Sequence, residues 1–437
     1  MSAGARPDVP AVVRRHTWLL FLAAASLSTG LSTSAQLGSL IIYSLSGTAA
    51  LAGLPTALNA LTVTAIGYPA GRFMDRHGRR PGLMIGFFTG AVGAVLVSLA
   101  VTSGRLVAYL LSAVVFSAGV AVSQLTRAAV ADMYPATLRA GAVGLVVAGG
   151  LLGGVGGPML VALGERVAHA TSAHPLAVPW VFVVATFVLA AGVLARLKPD
   201  PREIGRRIGE YFPRAHDVAI VVPRNGWIEP GTQQASVGEI IRSRPAQAAI
   251  ITLAGAQATM TILMATSSLM MSLHGHEMST ISLALMAHVV GMFGLSVPVG
   301  RLADRIGRRP VLIAGALLSA ASGLMFTLGI HSAAIAMVAF YLVGLGWCLA
   351  FVAGAALLGD LSTASTRARV VSLSDVLSHA SAAVAAVASG VLLSRGGEVT
   401  VGVLAAVMGT LPLLAIARAG LELRALAPAL PVEGGGQ

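Results

Sequence analysis

The soft and ionisable side chains of this chain are unevenly placed. Seven of its fifteen methionines fall between Met260 and Met292. On a helix Met260, Met264 and Met271 would share one face, with His274 close to it at the end. His288 and Met292 are four apart, hence one turn and one face. A thioether is a neutral, soft ligand suited to Cu(I), and imidazole also binds copper. Met260, Met264, His288 and Met292 are therefore a candidate path for a soft monovalent cation. Met271, His274, His276 and Met278 would form a collecting mouth outside it. The competing reading is packing, because Met readily fills gaps in apolar interiors. An imidazole in hydrocarbon is different, being costly unless it faces a cavity or a partner.

Asp375 and His379 form a second polar pair one turn apart. Inside a helix bundle such a pair is a candidate proton relay; near a helix start, Asp375 would merely cap or be solvated. Cys348 is either a further soft ligand or a small buried hydrophobe. As the only cysteine it excludes an internal disulfide framework and a Cys-cluster metal site. There is no Walker loop and no Ser-His-Asp or metal-hydrolase spacing, so neither an enzyme nor a cofactor is expected.

The elements that must hold these residues are membrane spans. Apolar residues make up 56% of the 437 and charged residues 11%, a composition that excludes an ordinary soluble domain. Crossing the hydrocarbon takes ~20 apolar residues. Twelve such stretches can be placed, the first at 17–44 and the last at 399–418, and the expected class is an all-α membrane protein. Residues 1–197 form a first set of six, 198–245 a cytoplasmic linker, and 246–437 a second set with a tail. Ser236 to Ser243 reads as a short surface helix within the linker. Of the 29 Lys and Arg, only Arg105, Arg166 and Arg395 fall outside if both termini are cytoplasmic, a strong positive-inside bias. The formal charge of +12 is thus topological and does not indicate nucleic-acid binding. Arg14-Arg15-His16 ahead of an apolar run imitates a signal peptide, but the run is long and reads as the first span. The expected location is the plasma membrane, multi-pass, with the lipid bilayer and a small solute or metal ion as partners.

One loop occurs twice. Gly71 to Leu83 reads GRFMDRHGRRPGL and Gly300 to Leu312 reads GRLADRIGRRPVL, each between two apolar stretches. Such an internal repeat marks a duplicated membrane architecture. Gly71, Gly78, Gly300 and Gly307 would permit a tight turn. Asp75 and Asp304 could accept backbone amides or pair with Arg. Arg76, Arg79, Arg80, Arg305, Arg308 and Arg309 at the least enforce topology.

The pattern G-x-x-x-D-R-x-G-R-R resembles the signature loop of the major facilitator superfamily. The resemblance implies two pseudo-symmetric six-helix bundles around a central site, secondary transport by rocking of the halves, and a monomer. It also implies that Asp75 latches one half to the other, pairing with Arg127 or Arg139 and facing the start of the eleventh span. Gln124, near Arg127 on the fourth span, is a further polar residue there. In the fifth span Gly144, Gly153, Gly157 and Pro158 resemble the glycine pattern of antiporter-type exporters, although Val161 and Ala162 replace its final Gly pair. The mechanical reading is a thin, bendable helix face. Met260-x3-Met264 and His288-x3-Met292 are similar to the motifs of the CcoA-like copper importers, a branch that includes riboflavin transporters. Three substrate expectations follow: copper(I) uptake, proton-coupled export of a small organic compound, and riboflavin-like uptake.

Overall fold

The computed structural model describes residues 9–213, 236–362 and 367–420, and among them every regular element is helical. Helix α1 spans Ala11–Ser46 and ends at Gly47, whose φ of 69° is the left-handed stop typical of a helix C-terminus. A short turn, Ala49–Leu51, leads to α2, Leu54–His77, with Pro55 in its first turn. Then come α3 Arg79–Thr102, α4 Leu106–Ser123, α5 Thr126–Asp132, α6 Ala136–Thr171 and α7 Val178–Leu194. The short helices α8 Pro201–Arg206, α9 Ile208–Tyr211 and α10 Val237–Arg242 lie in the stretch expected to be a linker. The rest are α11 Arg244–Leu273, α12 Met278–Phe293, α13 Ser296–Ile306, α14 Arg308–Gly329, α15 Ala333–Asp360 and α16 Arg367–Arg418.

Counting α4 with α5 and α12 with α13 as single segments, ten of the described helical segments are long and apolar enough to cross a bilayer. Helix α7 is shorter, at 17 residues. At 1.5 Å per residue the 52 residues of α16 would run to about 78 Å, far beyond a hydrocarbon core of ~30 Å. Its backbone is non-helical at Gly397 (φ 67°, ψ −166°), so two spans meet there. Divided in this way the helices accommodate the twelve expected segments. Two of those segments are interrupted where periodicity suggested none, at 124–125 between α4 and α5 and at 294–295 between α12 and α13.

The chain forms two compact units, residues 1–232 with 277–286, and 233–276 with 287–437. In the first, α1 packs along α6, and α3 along α4 and α7. The fifth-span glycines supply a close approach: a Cβ on Gly153 would meet the Ala25 carbonyl oxygen, and one on Gly157 would lie 2.6 Å from Ser32 Cβ. Gly144 has open space around it and takes no part in that contact. Phe116 fills the centre, edge-on to Trp180 at 5.1 Å and beside Phe187 at 5.6 Å. In the second unit α11 packs along α16 and α15, and α14 along α15 and α16. Helix α11 is the most enclosed of the apolar spans.

The start of the expected linker is docked on the first unit. Arg15 Nη2 donates to the Arg196 carbonyl at 3.2 Å, and His16 Nε2 lies 2.9 Å from the Pro199 carbonyl. Helix α10 begins with a reciprocal cap, in which Ser236 N–H donates to Glu239 Oε2 at 2.6 Å while Glu239 N–H donates to Ser236 Oγ.

Candidate functional site

The repeated loop is a helix junction in both copies. Gly78 starts α3 with φ 105° and Gly307 starts α14 with φ 88°, a conformation that penalises any side chain. Gly71 and Gly300 lie inside α2 and α13, so each turn rests on one glycine and not on two as expected. Across Gly78, Arg79 Nη1 pairs with Asp75 Oδ1 at 3.0 Å, and its Nε donates to Asp132 Oδ2 at 2.7 Å. In the second copy Arg308 Nε donates to Asp360 Oδ2 at 3.3 Å. Each copy thus ties its loop to an Asp at the end of the fourth span of its own half. The expected pairing of Asp75 with Arg127 is corrected here, because Arg79 sits one turn from Asp75 and takes its carboxylate, while Arg127 is exposed. The side chains of Arg139 and Asp304 lie outside the described residues.

The N-terminus of α3 has a partner the sequence reading did not identify. Asp200 Oδ1 accepts the Arg79 N–H at 3.1 Å, and Oδ2 the Arg80 N–H at 2.9 Å. The same carboxylate caps its own helix α8 through the Arg202 N–H at 2.8 Å. Gly78 is required a second time here, since a Cβ would fall 2.7 Å from Asp200 Oδ2. No sequence signal links residues more than a hundred positions apart.

In the second unit α11 leaves one stripe accessible. Ile251, Ala254, Gln257, Met260 and Met264 are exposed or half-buried, while Ala256, Ala258, Thr259 and Thr261 to Leu263 between them are buried. Of these, Gln257, Met260 and Met264 fall within about 60° of one another around the helix and share one face, while Ala254 and Ile251 wind away from it. Met271 is fully buried and does not join Met260 and Met264 on it, contrary to expectation. Beside the stripe, Trp347 Nε1–H donates to Gln257 Oε1 at 2.8 Å, joining α15 to α11. Phe351 stacks on Trp347 at 4.7 Å and 9°, and Phe293 stands edge-on at 6.3 Å. The Gln257 NH2 group makes no hydrogen bond among the described residues. Gln257, Trp347, Phe293 and Phe351 were missed in the sequence. The available signals were an amide in the middle of an apolar span and two aromatic residues four apart.

His288 is buried, and its Nδ1 lies 3.3 Å from the Phe340 carbonyl of α15. Gly344 allows that approach, since a Cβ there would meet the His288 carbonyl oxygen. An imidazole held at Nδ1 by a carbonyl keeps Nε2 for another partner. Met292, one turn on, is half-buried.

Of the residues expected at the outer mouth, Met271, His274 and His276 lie in the second unit and Met278 in the first. His274 Nδ1 lies 2.8 Å from the Met270 carbonyl, with its Nε2 3.7 Å from Glu398 Oε1 and its ring edge-on to His331. His276 Nε2 lies 2.6 Å from the Ile330 carbonyl. Met278 accepts from Gln36 Nε2 of α1 at 3.3 Å. Met271 packs in the core, so Met271, His274 and His276 serve different neighbourhoods within the second unit. Cys348 belongs to the apolar core of the second unit, which is the packing alternative. His379 Nδ1 contacts the Asp375 main-chain carbonyl at 2.8 Å and not the carboxylate. Among the described residues no three His, Cys, Asp or Glu side chains converge to hold a metal ion.

Comparison with known proteins agrees with this architecture. The family model described as Major Facilitator Superfamily matches residues 19–275 and 248–432. The chain is 29% identical over 385 residues to the uncharacterized MFS-type transporter YdeG of Bacillus subtilis, covering 87% of this chain and 86% of that protein. It is 25% identical over 393 residues to the riboflavin transporter RfnT of Brucella anthropi, covering 89% and 91%. Among solved structures, a peptide transporter POT in complex with sulfate aligns with TM-score 0.70 at 14% identity, over 98% of this chain and 97% of that one. An inward-facing bacterial homolog of the human lysosomal transporter Spinster aligns with TM-score 0.66 at 15% identity, over 97% and 100%. At those identities the structures speak for the fold alone.

Proposed function

We propose that this chain, which belongs to the major facilitator superfamily, carries a small planar organic solute read by the α11 stripe and its aromatic neighbours. The observation that carries the proposal is the Gln257–Trp347 pair. An amide and an indole are held together on the open face of the most enclosed apolar span. Trp347 and Phe351 present parallel rings on which a flat heterocycle can stack or insert. The Gln257 NH2 group supplies donors at the edge of that surface. The similarity to a riboflavin transporter across 89% of the chain favours a solute of this shape.

Copper(I) is the second reading, favoured by the position of Met260 and Met264 on the same stripe. In both readings His288, anchored on the Phe340 carbonyl, ties α12 to α15 and offers its free ring nitrogen to the solute. Asp375 and His379 are the proposed coupling residues for a proton-driven cycle. The Lys and Arg distribution supports residence in the plasma membrane with both termini inside, acting as a monomer.

Flux into proteoliposomes tests the proposal, with riboflavin and Cu(I) offered separately to the wild type, Trp347→Leu and Met264→Leu. Trp347→Leu removes a stacking surface and a hydrogen bond, together ~1–3 kcal/mol, so riboflavin flux at low concentration should fall about 5- to 150-fold. Met264→Leu preserves apolar volume and should leave riboflavin flux unchanged. Flux of neither probe, or riboflavin flux indifferent to Trp347, would refute the organic reading. Cu(I) flux lost in Met264→Leu would establish the second.

A further inference from the structure

The first unit carries two adjoining cavities where α2 meets α3 and the chain leaves α7. One, of about 560 Å³, is lined by the basic Arg80 and Lys198 together with the apolar Pro81, Met84 and Leu197. The other, of about 400 Å³, is bounded by Arg76, Arg202, Arg206 and Arg207. His77, Asp200 and Glu203 line both. The electrostatic balance is strongly positive, and the Asp200 carboxylate is already engaged by three backbone N–H groups. Arg80 Nε is buried with no hydrogen-bond partner, a position that normally costs stability unless a ligand completes it. Arg206 and Arg207 are exposed and make no ion pair among the described residues.

The lining is also mixed, basic and apolar residues bounding the same space. Met84 faces the larger cavity from α3, and Ile85 and Phe88 on the same helix are 50% and 66% exposed. The basic notch therefore lies at the foot of an apolar surface belonging to a membrane span. A small soluble anion would use only the basic residues, whereas an amphiphile uses both kinds. Guanidinium groups match phosphate oxygens in a two-point geometry, and basic groups beside a span attract anionic lipid.

We propose that this notch binds the headgroup of an anionic phospholipid, with its phosphate on Arg80, Arg202 and Arg206 and an acyl chain along Met84 and Phe88. The bound lipid would complete the orphaned Arg80 donor and pin the segment from Lys198 to Arg207 against the first repeated loop. The inference is independent of the identity of the transported solute.

Binding of dioleoylphosphatidylglycerol and dioleoylphosphatidylcholine to the purified full-length chain, read by native mass spectrometry, tests it. The wild type should retain phosphatidylglycerol preferentially. At roughly fivefold per basic residue, Arg80→Gln combined with Arg206→Gln should weaken that binding about 25-fold. Arg206→Gln with Arg207→Gln, whose side chains are exposed, should weaken it similarly while leaving the fold intact. Arg242→Gln with Arg418→Gln, in the second unit, should bind as the wild type does. Millimolar inorganic phosphate should not displace the lipid. Equal retention of both lipids, equal loss in the second-unit control, or displacement by phosphate would each overturn the proposal, the last by making the site one for a soluble anion.

Discussion

Replacing Asp200 should destabilise the first unit by more than a surface carboxylate can account for. Its carboxylate serves two helix starts at once, through Arg79 and Arg80 on α3 and Arg202 on α8. Loss of a helix cap costs ~1 kcal/mol, within a range of about 0.5–2. The charge at each N-terminus adds about 0.3–1 kcal/mol. Asp200→Ala removes both caps and both charge terms, so the expected loss is about 2–4 kcal/mol. Asp200→Asn keeps one acceptor oxygen, which can hold the Arg79 and Arg202 amides that Oδ1 now accepts. It loses the Arg80 contact and the charge, for about 1–2 kcal/mol. Gly78→Ala should approach the alanine variant by another route, because its Cβ would sit 2.7 Å from Asp200 Oδ2 at a φ of 105°. With ~2 cal/mol/K of unfolding entropy per residue, a unit of this size shifts by roughly 2 °C per kcal/mol. The expected order of apparent Tm in detergent, at one fixed scan rate, is wild type, then Asn, then Ala about 4–8 °C down. An Asp200→Ala protein that unfolds with the wild type would refute the double-cap reasoning. So would an Asn variant as unstable as Ala, since the retained acceptor would then count for nothing.

Three other outcomes follow from the geometry. Arg79→Gln should disturb the first repeated loop more than Arg308→Gln disturbs the second, because Arg79 is the more buried of the two; equal effects on proteolysis of the two loops would contradict this. Trp347→Phe keeps the ring stack but deletes the indole donor, leaving Gln257 Oε1 without its bond. Riboflavin flux should fall several-fold, matching a hydrogen bond of ~0.5–1.5 kcal/mol, and a loss as deep as that of Trp347→Leu would show that stacking was not retained. The Glu239 carboxyl is held below its ordinary value by the hydrogen bonds from the Ser236 backbone N–H and hydroxyl. Its folded pKa being depressed, the cap on α10 is fully formed above the ordinary carboxylate range and is lost as pH falls through the folded value. A carboxyl carbon NMR titration, assigned with Glu239→Gln, should show a low midpoint that rises in Ser236→Ala; an unchanged midpoint would remove the cap from the account.

The membrane class and the duplication were legible from residues alone, and for a physical reason. Hydrocarbon admits only segments that satisfy their own backbone, so a span must advertise itself as a long apolar run. The repeated Gly-Arg-Arg junction likewise needs a glycine where φ is positive, and Gly78 and Gly307 stand there in both copies. Met260 and Met264 could be placed on one helix face by counting, and the short capped helix at Val237–Arg242 could be read from Ser236 and Glu239 three residues apart.

What counting could not decide was which way each face looks and which distant group meets it. Helical spacing placed Met271 with Met260, yet burial separates them, because α11 is enclosed along most of its length and leaves only a narrow stripe open. His274 and His276 are two residues apart but turn to carbonyls of different elements. Asp75 pairs with Arg79, one turn away, and the exposed Arg127 makes no ion pair with it. The Gln257–Trp347 bond, separated by 90 positions, and the Asp200 cap on α3 join elements with no local relation in the chain. The sequence by itself determined a duplicated, multi-pass helical transporter, since transfer of side chains into lipid is a local and additive property. The tertiary structure alone decided which side chains meet across helices, because hydrogen-bond geometry depends on helix rotation and close approach, which no single segment encodes.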